Sequence, residues 1–257
     1  MDKRHADGSA GDADYGVLGP GYAGFRRPDP RIAAFIHAAL GDARTVLNVG
    51  AGAGSYEPTD RAVTAVEPSA AMRAERPPHL PRAADAAAQK LPFADKSFDA
   101  AMTTFSVHQW PDLAAGLKEM RRVTRGPIAI ISGDPHTLDR FWLAEYAPEV
   151  IATEARRYPP VSAFAALGGR IETTNVPIPL DCSDGFNEAY YGRPEMLLDP
   201  AARRACSAWS FVKPEAVARL ERELRRDLAD GSWDKKRGGL RSQNAFHGSL
   251  LLIVSRP

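Results

Sequence analysis

Three glycines spaced two residues apart, Gly50, Gly52 and Gly54, directly follow the apolar run Thr45–Val49. A second apolar run comes after them and ends just before Glu67. Glycines let a ligand approach the backbone closely, and a carboxylate at the tip of the next strand can accept hydrogen bonds from ribose hydroxyls. The spacing therefore predicts a site for an adenosyl-type ligand.

The elements that must position this site alternate between strands and helices. Seven runs have the composition of strands, and most are separated by helical or loop segments, as expected for a parallel sheet. Asp29 and Pro30 open a predicted helix before the first strand, and Asp112 can cap a helix after the fourth. The predicted strands are residues 45–49, 62–66, 82–84, 98–105, 127–132, 171–178 and 246–255.

Composition restricts the classes of function. The 257 residues carry a formal net charge of +1, which provides no overall field to attract nucleic acid or an anionic membrane. Basic residues between 219 and 241 alternate with acidic ones, as on a solvated helix face. No His, Cys or acidic spacing suggests a metal site, and we expect none. These patterns favour a small-molecule partner.

Cellular location follows from what the chain lacks. Cys182 and Cys206 form no CxxC pair, and we expect two reduced thiols. No apolar run approaches the roughly 18–20 residues of a membrane span, and the first residues lack the apolar segment of a signal peptide. We therefore expect a cytoplasmic protein without membrane association.

The longest departure from regular strand–helix alternation begins after the fifth predicted strand. Charged helical segments there separate the last strands from the rest of the core, and an aromatic, proline-containing stretch precedes the first helix. We predict three regions: an N-terminal lid segment over 1–30, a core over 31–135, 170–179 and 246–257, and a helical region over 136–169 and 180–245, for which the family resemblance described below implies a substrate-facing cap.

Residues 91–99 read Leu-Pro-Phe-Ala-Asp-Lys-Ser-Phe-Asp, and Asp85 precedes them. With the glycine motif, Glu67 and the segment 105–110, they resemble the class I S-adenosylmethionine-dependent methyltransferases, specifically the small bacterial type 11 group. The glycines alone are compatible with NAD, FAD or S-adenosylmethionine. Dehydrogenases lack the 91–99 pattern, so the resemblance, which covers residues 45–133, favours S-adenosylmethionine.

The resemblance implies an α/β fold: a Rossmann-like seven-stranded mostly parallel sheet with helices on both faces, an antiparallel last strand and a helical cap insertion. It implies methyl transfer from S-adenosylmethionine, which leaves S-adenosylhomocysteine, to a small or medium organic acceptor. The acceptor atom (O, N or C) stays open. We expect a monomer or a homodimer.

The family pattern also implies roles for residues around the cofactor. Glu67 would bind the ribose hydroxyls, and Asp85 would accept from the adenine amino group beside the Ala86 backbone N–H. Arg27, or second to it Arg26, would pair with the cofactor carboxylate, because a guanidinium binds a carboxylate in bidentate fashion. The residues implied to face the methionine part are Gly50, Gly52, Gly54, Phe105, Ser106 and, closing over it, Tyr22.

Two features depart from the family pattern. Asn48 stands where the family usually has Asp or Glu, so an amide oxygen can accept a hydrogen bond there but the negative charge is lost. Tyr56, Glu57 and Pro58 shorten the helix after the glycine loop. The amino-acid end of the cofactor is therefore the part whose binding the sequence defines least.

His108, Trp110 and His136 are predicted from their position after the strands, whereas Tyr15, Trp142 and Tyr191 are predicted as aromatic residues that close or line a substrate pocket. A general base is needed only for a hydroxyl or a protonated amine, and His108 is the first candidate and His136 the second. Ordinary loop packing is the competing interpretation for both, and hydrophobic packing for the aromatic residues. The predicted substrate residues are Tyr15, His108, Trp110, Trp142 and Tyr191.

Two other functions remain open at this point. An RNA- or protein-directed methyltransferase would need a basic cleft or an amine-methylating motif such as Asn-Pro-Pro-Tyr, which the chain lacks. A cofactor-binding protein of the same fold without catalysis is the other alternative, and Asn48 is its only support.

Overall fold

Eight strands carry the architecture of the part of the chain that the structure describes. The computed structural model describes residues 11–14 and 22–257, without the side chains of Tyr22 and Ala23. Six strands form the main sheet in the order β2-β1-β3-β4-β8-β5, and β6 and β7 form a separate pair. The strands are β1 (Thr45–Val49), β2 (Ala62–Val66), β3 (Ala100–Thr104), β4 (Ile128–Gly133), β5 (Arg170–Asn175), β6 (Ile178–Pro179), β7 (Ala245–Phe246) and β8 (Leu250–Arg256).

The predicted mostly parallel sheet with an antiparallel last strand is confirmed, but its predicted count of seven strands is wrong. Strands β1 to β4 pair in parallel, and β8 runs antiparallel to both β4 and β5. Residues 82–84 contribute only an isolated bridge between Ala84 and Val66. Proline lacks the N–H that a sheet ladder needs, and Pro81 ends the pairing at this point.

Nine α-helices surround the sheet in the described residues. The first predicted helix is confirmed: the Asp29 side chain accepts a hydrogen bond from the Arg31 backbone N–H, and Pro30 occupies the first turn. The Asp112 cap is confirmed as well, because its side chain accepts from Ala115 N. The helices are α1 (Tyr22–Phe25), α2 (Pro30–Leu40), α3 (Ala70–Ala74), α4 (Leu113–Val123), α5 (Leu143–Tyr146), α6 (Pro148–Arg157), α7 (Pro200–Arg204), α8 (Pro214–Ala229) and α9 (Ser232–Arg237).

Apolar side chains on both faces of the sheet form the core. In β1, Val46 belongs to the cluster on one face, whereas Leu47 and Val49 belong to the cluster on the other. All three side chains are fully buried. A strand that alternates between two buried faces is typical of a parallel sheet covered by helices on both sides.

The register of the parallel strands brings the predicted site residues to one edge. Val49 at the end of β1 pairs with Val66 at the end of β2, and β3 continues into Phe105 beside them. In open α/β sheets, ligands bind outside the carboxyl ends of the strands. Gly50, Glu67 and Phe105 therefore lie at the edge where a ligand is expected.

Candidate functional site

A cleft of about 840 Å³, part of it open to solvent, lies at the carboxyl ends of β1, β2 and β3. We call it the cofactor cleft. Six of the predicted site residues line it: Gly50, Gly52, Glu67, Phe105, Ser106 and Trp110.

The glycine loop keeps this cleft open. Gly50 has φ +65°, and a Cβ built on it would lie 1.9 Å from Ser106 Oγ. Gly52 has φ +51° and donates its backbone N–H to Glu67 Oε2 over 2.8 Å. Any other residue at Gly50 would meet both a strained backbone and a clash, so the close approach of loop and Ser106 requires glycine.

Glu67 lies directly after β2, in the wall of the cofactor cleft. Its carboxylate accepts from Gly52 N and, through Oε1, from Ser69 N over 2.8 Å. The residue is 8 % exposed and lines the cleft. Ser106 Oγ accepts a 3.0 Å hydrogen bond from Trp110 Nε1, and both residues line the cleft.

The structure places Asn48 and Gly54 behind the loop rather than in the cleft wall. Asn48 Nδ2 donates to Glu57 Oε1 over 3.0 Å, and Glu57 forms a buried ion pair with Arg76 at 2.9 Å. A Cβ on Gly54 would lie 2.3 Å from the Leu80 side chain. Glu57 thus places a carboxylate beside position 48, but this carboxylate is paired with Arg76 and does not line the cleft.

Asp85 and Ala86 also lie outside the cleft lining. The Asp85 side chain is 58 % exposed and contacts Arg73 at 3.2 Å, because the prolines before it carry the chain along the surface. Ala86 is buried in the core on one face of the sheet. The following residues, Ala87, Ala88 and Gln89, form this end of the cleft instead.

Arg26, rather than Arg27, lines the cleft on the N-terminal side. Arg27 is exposed, whereas Arg26 Nε donates to Asp184 Oδ1 over 2.5 Å. The Tyr56 hydroxyl donates to the other Asp184 oxygen over 2.7 Å, and Asp184 is buried beside the cleft. Of the two predicted arginines the structure thus places Arg26 in the cleft lining, through a contact with Asp184 that lies 158 positions away and that no local pattern indicates.

Two predicted residues lie outside the described part of the chain: Tyr15, and the side chain of Tyr22. Three others are described but do not reach a cavity at the strand ends. His136 is exposed, with its backbone N–H donated to Asp134 Oδ1. Trp142 and Tyr191 belong to the core, where Trp142 Nε1 donates to the Tyr191 carbonyl and Tyr191 stacks on Phe246.

Two adjoining cavities lie behind the cofactor cleft, with volumes of about 550 and 280 Å³. We refer to them together as the inner cavity. Phe105 lines both of them and the cofactor cleft, so the two spaces adjoin at this ring. The residues that both parts of the inner cavity share are Phe105, Glu154, Tyr158, Phe186 and Asn187.

His108 lines the inner cavity as a neutral imidazole. With the Gln109 amide oriented so that its oxygen faces the ring, His108 Nε2 donates to that oxygen over 3.1 Å. Nδ1 is buried and has no hydrogen-bond partner among the described residues. Burial, together with the positive charges of Arg157 and Arg26, lowers the pKa of His108 to about 3. The ring is therefore a hydrogen-bond acceptor, but a weak base.

Glu154, on helix α6, faces His108 across the same cavity. Burial and the neighbouring Glu188 carboxyl raise the pKa of Glu154 to about 7. Its one hydrogen bond within the described chain comes from Asn187 Nδ2, over 2.8 Å to Oε1. Sequence reasoning missed this residue, because a glutamate within a charged helix gives no signal until the helix is placed against the sheet.

Comparisons with known proteins agree with this architecture. Residues 47–127 match the family model described as a methyltransferase domain. A solved structure from Anabaena variabilis, described as a methyltransferase from an antibiotic biosynthesis pathway, is 28 % identical with a TM-score of 0.83, covering 91 % of this chain and 99 % of that one. Residues 47–127 therefore form a methyltransferase domain, and this match together with the similar structure indicates an S-adenosylmethionine-dependent methyltransferase.

More distant structures share the fold. An S-adenosylmethionine-dependent methyltransferase from Thermotoga maritima is 13 % identical with a TM-score of 0.52, covering 94 % of this chain and 92 % of that one. The cyclase SpnF is 15 % identical with a TM-score of 0.54, covering 95 % and 92 % respectively. No curated protein sequence matches the chain. Because a cyclase has this fold, the fold alone does not define the reaction.

The described residues contain neither a membrane-spanning helix nor a cluster of metal ligands. No helix there is long and apolar enough to cross a membrane. No group of three or more His, Cys, Asp or Glu side chains among them could hold a metal ion. Cys182 and Cys206 are free thiols, as predicted, and both are buried.

Proposed function

We propose that this chain transfers the methyl group of S-adenosylmethionine to a small or medium organic acceptor inside a closed pocket. The observation that carries the proposal is the position of Phe105, which lines both the cofactor cleft and the inner cavity. A donor in the cleft and an acceptor in the inner cavity would meet at this ring. The inner cavity is of a size for a small molecule rather than for RNA or a folded protein.

The residues of the cofactor cleft fit an adenosyl group. Glu67 binds the ribose hydroxyls in this proposal, and its position is supported by the two backbone N–H groups that hold the carboxylate in the wall. Gly50 and Gly52 face the methionine part. Their place in the cleft lining supports this, together with the close packing of Gly50 against Ser106, which only glycine allows.

The amino-acid end of the cofactor is held by a different pair than the family pattern implies. Arg26 replaces Arg27 as the guanidinium near the carboxylate, and Asp184 offers the charge for the ammonium that Asn48 lacks. Both residues line the cleft and are held by their mutual ion pair. The predicted role of Asp85 at the adenine stays a prediction, with Gln89 as the alternative in the cleft wall.

S-adenosylmethionine supplies an electrophilic methyl group bonded to a sulfonium. The contribution of the chain is then to hold the acceptor in line with that methyl group and to exclude water. Phe105 and Phe186, whose ring centroids are 5.3 Å apart, form an apolar wall between the two spaces. The Arg26–Asp184 pair closes the same wall on its polar side.

Methyl transfer from isotope-labelled S-adenosylmethionine to a collection of small alcohols, phenols, amines and carboxylic acids tests the proposal. We expect a labelled small-molecule product and an equal amount of S-adenosylhomocysteine. The variant Glu67→Ala serves as the control that should lose product formation. Transfer of the label to RNA or protein, but to no small acceptor, would contradict the proposal.

A further inference from the structure

Two hydrogen-bond acceptors in the inner cavity, Glu154 and His108, have unfilled capacity among the described residues. Glu154 receives a single hydrogen bond, from Asn187, and forms no ion pair with any described cation. His108 Nδ1 is buried and receives none. A buried acceptor without a donor is unfavourable. The cavity therefore favours a ligand group that carries several donors.

Two of the arginines that line the cavity are engaged by other carboxylates. Arg26 donates to Asp184, and Arg157 binds Asp12 through Nε and Nη2 at distances of 2.8–3.2 Å. Arg204 also borders the cavity, but it is exposed to solvent. These cations therefore leave Glu154 without a direct partner.

Aromatic rings form the remaining walls. Phe105 and Phe186 are in contact, and His108 meets Tyr158 edge to face with centroids 5.1 Å apart. The faces of Phe and Tyr rings attract cations. Aromatic walls combined with a carboxylate that forms no ion pair with a described cation are suited to a protonated amine.

We propose that the inner cavity binds the acceptor as a protonated primary or secondary amine, with Glu154 and His108 Nδ1 accepting its N–H groups and Glu154 removing its proton. This inference rests on the proposed function and specifies its acceptor. It assigns the role of base to Glu154 and reduces His108, the first candidate from the sequence, to a hydrogen-bond acceptor.

The reaction step balances in these terms. The ammonium gives one proton to the Glu154 carboxylate and becomes a neutral amine with a free electron pair. That pair forms the N–C bond to the methyl carbon while the C–S bond pair passes to sulfur. The products are a methylated ammonium, neutral S-adenosylhomocysteine and protonated Glu154, which releases its proton to water.

A series of three probes tests the binding claim without any knowledge of the natural acceptor. Benzylamine, benzyl alcohol and benzoate share a ring and differ in charge, and calorimetry can measure each against the full chain saturated with S-adenosylhomocysteine. We expect benzylamine to bind about tenfold more tightly than benzyl alcohol and benzoate to bind least. Equal affinities, a preference for the alcohol or the anion, or no binding of any probe would overturn the proposal.

The variant Glu154→Gln assigns the preference to one side chain. It keeps the shape and removes the charge, so benzylamine should lose its advantage over benzyl alcohol. Glu154→Asp keeps the charge and should retain most of it. An undiminished preference in Glu154→Gln would overturn the role of Glu154.

The pH dependence of the wild-type protein provides a readout that needs no variant. Because Glu154 has a pKa of about 7, benzylamine affinity should rise between about pH 6 and pH 8 as the carboxyl ionises. An affinity that is flat or falls over this range would overturn the proposal. The other charged or titratable groups that face Glu154 are Glu188, Tyr158, His108, Arg157 and Arg26.

One of these groups, Glu188, also affects the pH profile. The pKa of Glu188 is also raised, by burial, to about 7, and Glu188 is held by Ser249 through both backbone and side chain. Glu188→Gln should therefore keep the benzylamine preference that Glu154→Gln loses. Binding of S-adenosylhomocysteine, measured first on each protein, separates failure of the cofactor site from failure of the amine site.

Discussion

The Arg26 guanidinium lies over the Phe105 ring, with 5.1 Å between Cζ and the ring centroid. The same guanidinium is held by Asp184, so its position is fixed from two sides. Phe105 has φ +52°, a left-handed conformation that is rare for a bulky residue. Strained backbone of this kind is concentrated at functional sites. Here it sets the ring between the cofactor cleft and the inner cavity.

The first prediction concerns this arginine. Arg26→Lys keeps the charge but loses the planar group that contacts both Phe105 and Asp184, so we expect affinity for S-adenosylmethionine to fall about tenfold. The matched control is Arg27→Lys, which should bind as the wild type does because Arg27 is exposed. Calorimetry measures both variants. A larger loss of affinity in Arg27→Lys than in Arg26→Lys would support Arg27 as the partner of the cofactor carboxylate, as the family pattern implies.

The second prediction compares two acidic residues. Glu67→Ala should weaken cofactor binding by about 2 kcal/mol, roughly 30-fold, because it removes a charged acceptor from the cleft wall. Asp85→Ala should cost less, since Asp85 is largely exposed and contacts Arg73. Dissociation constants from titration with S-adenosylhomocysteine decide the order. The reverse order would place the adenine at Asp85, as the family pattern implies.

The third prediction compares two glycines that both have a positive φ angle. Gly50→Ala combines positive φ with a Cβ 1.9 Å from Ser106 Oγ, whereas a Cβ on Gly41, at φ +57°, has nothing within 4 Å. Gly41→Ala should lower stability by about 1–3 kcal/mol through backbone strain alone. Gly50→Ala should lower it further and abolish cofactor binding. Urea unfolding and calorimetry measure the two effects, and equal behaviour of the variants would show that the space beside Gly50 has no role.

The fourth prediction is the effect of Glu154 on stability. Its pKa is raised in the folded chain from the ordinary value of 4.5 to about 7, so the protonated form is favoured by folding. Its contribution to stability is therefore complete below about pH 4.5 and is lost as the pH rises to about 7. Glu154→Gln should be more stable than the wild type at about pH 8, by roughly 1–3 kcal/mol.

Thermal or urea unfolding at about pH 5 and pH 8 checks this sign, with Glu172→Gln as a control for a charge lost at the surface. The control should show no comparable pH dependence. A Glu154→Gln protein that is less stable than the wild type at about pH 8 would mean that the carboxylate has a structural partner. If Glu154→Gln is more stable than the wild type but no longer prefers the amine, the Glu154 carboxylate contributes to binding at a cost in stability.

Local sequence patterns were sufficient for the fold and for half of the cofactor cleft. The apolar run of β1, the glycines after it and Glu67 after β2 are close in sequence, and the parallel register brings them together without further information. Residues 82–84 are the exception among the predicted strands, because only Ala84 pairs with β2, in a single bridge to Val66.

Long-range contacts define the rest of the site, and the sequence carries no sign of them. Asp184 is separated from Arg26 by 158 positions, and Asn187 is 33 positions from Glu154. Trp142 and Tyr191 were interpreted as substrate residues because of their type, yet they contact each other in the core. Packing decides which face of a cap helix points toward the cleft. The residue types alone do not indicate that face.

A crystal structure of the complex with S-adenosylhomocysteine tests the central claim most directly. We expect the ribose hydroxyls at the Glu67 carboxylate, the amino-acid end near Arg26 and Asp184, and the sulfur directed toward Phe105 and the inner cavity. A bound ligand whose sulfur faces away from Phe105, or which lies outside the cofactor cleft, would contradict the account.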